Sequence, residues 1–168
     1  MESLKRSFPP VVDTRTRVLV LGSLPGEESL ARRQYYGNPR NQFWRLIGAV
    51  TGRDLVALPY EARLAALLET GVGLWDTVAS ATRRGSLDAA IRDREANDLA
   101  RLAGSLPTLK AVGFNGGTSA AIGIPLLSGR PDLALLTLPS SSPAYTLGFD
   151  AKLERWTALR RFLSECSA

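Results

Sequence analysis

The stretch "VLVLGSLPGEESLARRQYYGNPRNQFWRLIG", residues 18–48, decides the fold. It begins inside "RVLVLGS" (17–23), a run of Val and Leu of the kind that forms a strand covered on both faces. A Gly/Pro turn follows at once. Residues 24–40 read as loop, with a short helix possible in "EESLARR". "NQFWRLIGAVTG" (41–52) then reads as a helix, because Phe43, Trp44, Ile47 and Val50 recur at helical spacing and Gly52 closes it. A buried strand that passes through a turn into a helix is the opening unit of an α/β sheet.

The rest of the chain repeats that alternation. "PYEARLAALLETG" (59–71) reads as a helix with Leu64, Leu67 and Leu68 on one face and Gly71 as its C-cap. Further strands are expected at 72–76, 109–114 and 132–138, and helices at 98–107 and from 116. "DAKLERWTALRRFLSEC" (150–166) predicts one long amphipathic helix with Asp150 as N-cap. Residues 1–16 read as an irregular lead-in, and 81–98 as a polar loop with helical pieces. Together these predict a three-layer α/β/α domain over 1–168, with a central, mainly parallel four-stranded sheet.

Composition narrows the chemistry. There is no histidine in the 168 residues, which removes Ser-His-Asp and Cys-His catalysis, and most zinc sites. A single cysteine, Cys166, cannot form an intrachain disulfide or hold an iron–sulfur cluster. The net charge is +5 and the pI about 9.9, and the only lysines are Lys5, Lys110 and Lys152. An arginine-rich positive surface suits a polyanionic partner, although codon bias in a GC-rich genome also raises Arg over Lys. No apolar run approaches the roughly 18 residues that span a bilayer, so no membrane partner is expected. The N-terminus lacks a secretory h-region, which predicts a cytoplasmic protein.

In parallel α/β sheets, ligands bind beyond the carboxyl ends of the strands. Here each strand ends in a distinctive stretch: "GSLPG", "WDT", "FNGGTS" and "PSSSPAY". "GSLPG" is neither a P-loop nor a dinucleotide fingerprint, because neither glycine pattern is complete.

Spacing makes the first of these stretches specific. Gly-x-x-Pro-Gly, then an aromatic, then Pro-x-Asn-x-Phe-Trp resembles the uracil-DNA glycosylase superfamily, and within it the mismatch-specific uracil/thymine branch. "LPSSSPA" (138–144) sits where that superfamily carries its second motif. The departures matter. Leu24 stands where the mismatch-specific branch has its catalytic Asn, the catalytic Asp of the classical uracil enzymes is absent, and Ser140 replaces the second-motif His of several branches. "GSLPG…QYYGNPRNQFW…LPSSSPA" instead looks like the hypoxanthine-DNA glycosylase family, as does "GVGLWDTVASATRRGSLDAAI" (71–91).

That resemblance implies an enzyme that flips a deaminated base, hypoxanthine first, out of double-stranded DNA and hydrolyses its N-glycosidic bond. It implies Asn41 as the catalytic residue. Tyr36 is the expected stacking platform, with Tyr35 as its neighbour, and the backbone of Gly22, Ser23, Leu24, Pro25 and Gly26 the expected partner of the base edge. A neutral amide cannot act as a strong base. It suits a dissociative route in which preorganised dipoles stabilise the separating charges. Asn115 either hydrogen-bonds the base or a phosphate, or simply makes an Asn-Gly turn. Asp76 is either a second polar group near the site or a turn residue.

Ser140, Ser141 and Ser142 can donate to phosphates. Pro143 and Ala144 continue that loop, and Ala144 lies where relatives insert an apolar wedge. A methyl is a poor wedge, so Tyr145 is expected to fill the gap left by the flipped base. Asn41 also suits a helix N-cap, Phe43 and Trp44 suit the core, and Arg155, Arg160 and Arg161 a solvated helix face. No motif contains a lysine, although Lys152 lies near the second, so no lyase step is expected. Neither a cofactor nor a metal is expected, and the protein is expected to act as a monomer. The alternatives are a uracil/thymine mismatch enzyme, a non-catalytic module that binds damaged DNA, and a small-nucleotide-binding α/β protein.

Overall fold

The computed structural model of the chain describes residues 3–83 and 92–163. Its centre is a four-stranded sheet of β2 (Val18–Gly22), β3 (Val72–Asp76), β6 (Ala111–Asn115) and β7 (Ala134–Leu138), in the order β3-β2-β6-β7. Every pair is parallel, and the register sets Gly22 opposite Asp76 and Asn115 opposite Leu138. All five residues of β2 are buried, as its unbroken apolar run requires.

Side chains leave β2 alternately to two faces. Val18 and Val20 join a core with Phe43, Ile47, Leu67 and Trp156, which come from α2 (Phe43–Thr51), α3 (Tyr60–Thr70) and α6 (Phe149–Trp156). Leu19 and Leu21 join the opposite core with Leu99, Ala103 and Ala120 from α4 (Leu99–Gly104) and α5 (Gly117–Leu126). This is the three-layer α/β/α architecture expected from the sequence. Gly52 and Gly71 end α2 and α3 in the left-handed region, at φ 76° and 89°. A short α1 (Glu27–Arg32) forms in "EESLARR".

Three segments differ from expectation. The lead-in is not wholly irregular: β1 (Ser3–Arg6) pairs antiparallel with β4 (Val78–Arg83), and Val11 makes a bridge with Leu74. Where it is described, the polar segment 81–98 is mainly strand rather than loop with helical pieces. It contributes the end of β4, then β5 (Arg92–Ala96), and these complete a small antiparallel sheet in the order β1-β4-β5; residues 84–91 lie outside the described residues. The reason is remote pairing. "SATR" and "RDREA" lack strand patterning, and β4 is held by a strand more than seventy residues earlier.

The long C-terminal helix is divided. It runs as α6 to Trp156 and continues as a 3₁₀ helix over Thr157–Phe162, with residues 164–168 outside the described residues. Thr157 Oγ1 donates back to Glu154 O at 2.8 Å, a bond that competes with regular helix. Gly148, not Asp150, is the N-cap, and Asp150 sits in the first turn. Arg155, Arg160 and Arg161 are exposed, as expected of a solvated face, but Arg160 is also engaged with α2. It donates to Val50 O (3.1 Å) and Ala49 O (2.9 Å) in the last turn of α2, whose final carbonyls have no helical donor.

Candidate active site

The carboxyl ends of β2, β3 and β6 open into a pocket of about 550 Å³. Its wall takes residues from three sequence stretches: Gly22–Ser29, the 35–41 segment, and Ser140–Tyr145, together with Asp76 and Asn115. Every site residue expected from the sequence lies on this wall, from Gly22 through Gly26 to Tyr36, Asn41, Asn115 and the 140–145 loop. The turn after β2 is held by Thr77 N donating to Gly22 O (2.8 Å) and Val78 N to Ser23 O (2.9 Å). Leu24 turns its side chain into a small apolar cluster with Val78 and Ile122.

Gly22 is required by crowding rather than by backbone angle. A Cβ there would stand 2.6 Å from Asp76 Oδ1 and 3.1 Å from Tyr36 Oη. The absent side chain therefore lets a carboxylate and a phenol converge above the end of β2. Tyr36 itself sits at φ 54°, an unusual conformation for a non-glycine residue that aims its ring. One face of that ring stacks on Phe43, with centroids 3.9 Å apart and planes 16° from parallel. Phe43 is fully buried, so the platform is anchored in the core.

Tyr35 has a different position. It is 4% exposed, its hydroxyl donates to Pro9 O at 2.9 Å, and its carbonyl accepts from Trp44 Nε1 at 3.2 Å. Burial, followed by the nearby Asp76 charge, pushes its phenol far above the usual range. Tyr35 is a core strut beside the pocket.

Asn41 opens the turn into α2. Its Oδ1 accepts from Phe43 N at 2.9 Å, and its own N–H donates to Asn38 O at 2.9 Å. The N-cap is Gln42 rather than Asn41 as expected, and the Asn41 oxygen instead closes a two-residue side-chain turn just before the helix. Asn41 is also on the pocket wall.

Asn115 is 7% exposed and makes a hub. Its Nδ2 donates to Tyr36 Oη (3.2 Å) and Ser141 Oγ (2.9 Å), while its Oδ1 accepts from Ser141 N (2.9 Å). Ser141 O in turn accepts from Gln42 N at 3.0 Å. Lys152 completes the network. Although it is a lysine, it is 1% exposed, and its Nζ donates to Gln42 Oε1 (2.8 Å) and Ser142 O (3.3 Å). Burial lowers its pKa from the ordinary lysine value. The sequence reading missed this role, because burial of Lys152 depends on α6 packing over the loop. The 140–145 loop is also braced internally, by Ser142 N to Ser140 Oγ and Ala144 N to Ser142 Oγ, both at 3.1 Å. Tyr145 at its tip is 48% exposed.

The arrangement offers a stacking face, a neutral amide donor, a buried carboxylate and a serine loop around one cavity. Among the described residues, no helix is long and apolar enough to cross a membrane.

Comparison with known proteins agrees with this fold. The family model described as the uracil DNA glycosylase superfamily matches residues 9–162. A Methanosarcina acetivorans protein described as a hypoxanthine DNA glycosylase is 42% identical over 158 residues, covering 94% of this chain and 99% of its own. A Methanosarcina barkeri protein of the same description is 47% identical over 112 residues, covering 67% and 71%. A solution NMR structure of a candidate uracil DNA glycosylase from Methanosarcina acetivorans superposes with a TM-score of 0.86 at 40% identity, covering 95% of this chain and 99% of its own. The chain belongs to the uracil DNA glycosylase superfamily.

Proposed function

We propose that this chain is a monofunctional DNA glycosylase of base-excision repair that removes hypoxanthine from deoxyinosine in double-stranded DNA, acting as a cytoplasmic, nucleoid-associated monomer. The observation that carries the reading is the single pocket shared by Tyr36, Asn41 and the 140–145 loop. The names of the two relatives supply the base.

Flipping the nucleotide costs a few kcal/mol of unstacking. The gap is filled by Tyr145, and the extruded base stacks on the face of Tyr36 turned away from Phe43. The serines of the loop hold the flanking phosphates. As the glycosidic bond stretches, positive charge grows on the sugar and negative charge on the base. The Asn41 NH₂ donates to the departing base or to the attacking water, and an oriented donor in a largely dry site is worth far more than one in solvent. The pocket does not need a strong base, which fits a chain without histidine. The Lys152 nitrogen is committed to Gln42 and Ser142, which disfavours it as the amine of a lyase step.

The test is cleavage of a duplex containing one deoxyinosine, developed with alkali, by the wild type and Asn41→Ala. The reading requires alkali-dependent nicking by the wild type and a loss of about two orders of magnitude or more in Asn41→Ala. An inactive wild type on every deaminated base would refute it. The neighbour described as a candidate uracil enzyme favours a second reading, so a deoxyuridine duplex is the parallel substrate.

A further inference from the structure

We propose that a second cleft, beside the base pocket, is a phosphodiester subsite that holds a backbone phosphate of the lesion strand outside the flipped nucleotide, with Arg45 as its principal ligand. The subsite rests on the glycosylase reading, which sets the flipped base in the neighbouring pocket.

The cleft encloses about 310 Å³ and shares Tyr36, Asn38 and Asn41 with the base pocket, so one segment of chain borders both. Their charges are opposite. The base pocket carries three carboxyl groups, from Glu27, Glu28 and Asp76, against one arginine, Arg40. The cleft carries Arg32, Arg45 and Arg63, and no carboxyl group stands on its wall. A strand whose base enters the pocket must lead its backbone away from it, and the field favours the side of the three arginines.

These arginines are held in different ways. Arg63 is fixed: its Nε donates to Leu58 O at 2.9 Å and its Nη2 to Val56 O at 3.0 Å, and its guanidinium lies 5.4 Å from the centre of the Trp44 ring. Both bonds go to neutral carbonyls, so the charge is oriented without being cancelled. Arg32 shares its charge with Glu28 at 3.7 Å. Arg45 is exposed, and among the described residues its side chain meets neither a carboxylate nor a hydrogen-bond acceptor. Its guanidinium carbon lies over the ring of Phe149, the first residue of α6, 4.1 Å from the ring centre. A guanidinium held over a ring in this way keeps its five N–H groups for other acceptors, and its fork takes phosphate oxygens two at a time. Arg45 follows Asn41 by four residues, about one helical turn, so a phosphate bound there fixes the strand close to the proposed reactive amide.

The probe is a duplex with a tetrahydrofuran abasic analogue at the lesion position, read by fluorescence anisotropy, so that binding is measured without chemistry. A neutral methylphosphonate replaces one phosphate at a time on either strand. Wild type, Arg45→Gln and Arg45→Lys are compared, and Arg155→Gln removes one charge from the exposed face of α6. Arg45→Gln is expected to weaken binding about tenfold and to lower the slope of log affinity against log salt by about one, as for one lost phosphate contact. Arg45→Lys should recover the slope. One methylphosphonate on the lesion strand, outside the lesion nucleotide, should weaken the wild type by a similar factor and add little in Arg45→Gln, because both changes remove the same contact. Additive effects at every lesion-strand phosphate overturn the proposal. So does coupling confined to the complementary strand, or a loss in Arg155→Gln equal to that in Arg45→Gln. A wild type that is inactive on all deaminated bases yet retains the coupling refutes the glycosylase reading and leaves the subsite standing.

Discussion

Asn115 and Ser141 exchange two buried hydrogen bonds, Nδ2 to Oγ and backbone N to Oδ1, each 2.9 Å long. They join the end of the central sheet to the loop proposed to grip DNA, and the same amide reaches Tyr36 Oη. Asn115→Ala leaves the Ser141 N–H without its acceptor in a buried site. The expected loss is about 2–3 kcal/mol of stability, read from urea unfolding, because buried polar groups without partners cost about that much. Activity on deoxyinosine should fall with it, since the stacking platform and the loop lose their common support.

Gly22→Ala tests the crowding at the end of β2. The new methyl meets Asp76 Oδ1 at 2.6 Å, and the carboxyl group is short and enclosed, so it cannot swing clear. Overpacking of this kind costs about 1–3 kcal/mol. Deoxyinosine excision should drop by more than that stability loss explains, because the displaced groups border the pocket. Thermal unfolding and single-turnover rates on the same preparation separate the two effects.

Tyr145→Ala should leave stability within about 0.5 kcal/mol, as expected for an exposed side chain. Its effect belongs to DNA binding. Losing an aromatic that stacks in the gap should weaken binding by about 1–3 kcal/mol. Fluorescence anisotropy with a deoxyinosine duplex, in an Asn41→Ala background that prevents turnover, measures it. Unaltered affinity would remove Tyr145 from the interface.

Lys152 gives a pH signature. Its folded-state pKa lies below the ordinary lysine value through burial, so the unfolded chain binds more protons between the two values. Stability therefore rises with pH across that window, as the buried amine sheds its charge, and the penalty is fully present below it. Lys152→Met has no such proton to lose. The difference in urea midpoint between wild type and Lys152→Met should shift toward the wild type as pH rises toward 10.5, the ordinary value for lysine. A difference that stays flat with pH would refute the assignment.

Local features of the sequence carried the sheet. The five apolar residues of β2 can be satisfied only by cover on both faces, and Gly52 and Gly71 mark helix ends through a conformation other residues avoid. The pocket residues were legible because strand ends in a parallel sheet converge, which brings "GSLPG", Asn115 and "PSSSPAY" together without any long-range information. Legibility failed where a partner lies far along the chain. β1 and β4 pair over a separation no local pattern encodes, and "SATR" is polar enough to read as loop. Lys152 and Arg160 look like ordinary surface cations, and only the packing of α6 and the 3₁₀ turn against α2 commits them. Asp76 was one of two open readings in sequence, because nothing local announces that a glycine across the sheet has made room for it.

The two cations share a mechanical consequence. Lys152 holds Gln42 at the start of α2, and Arg160 holds Ala49 and Val50 at its end. One C-terminal segment thus acts as a splint along a nine-residue rod, and Asn41 rides on the near end of that rod. Alignment of the amide is then set some distance from the chemistry. Damage to the far end of the splint should degrade catalysis before it unfolds the protein.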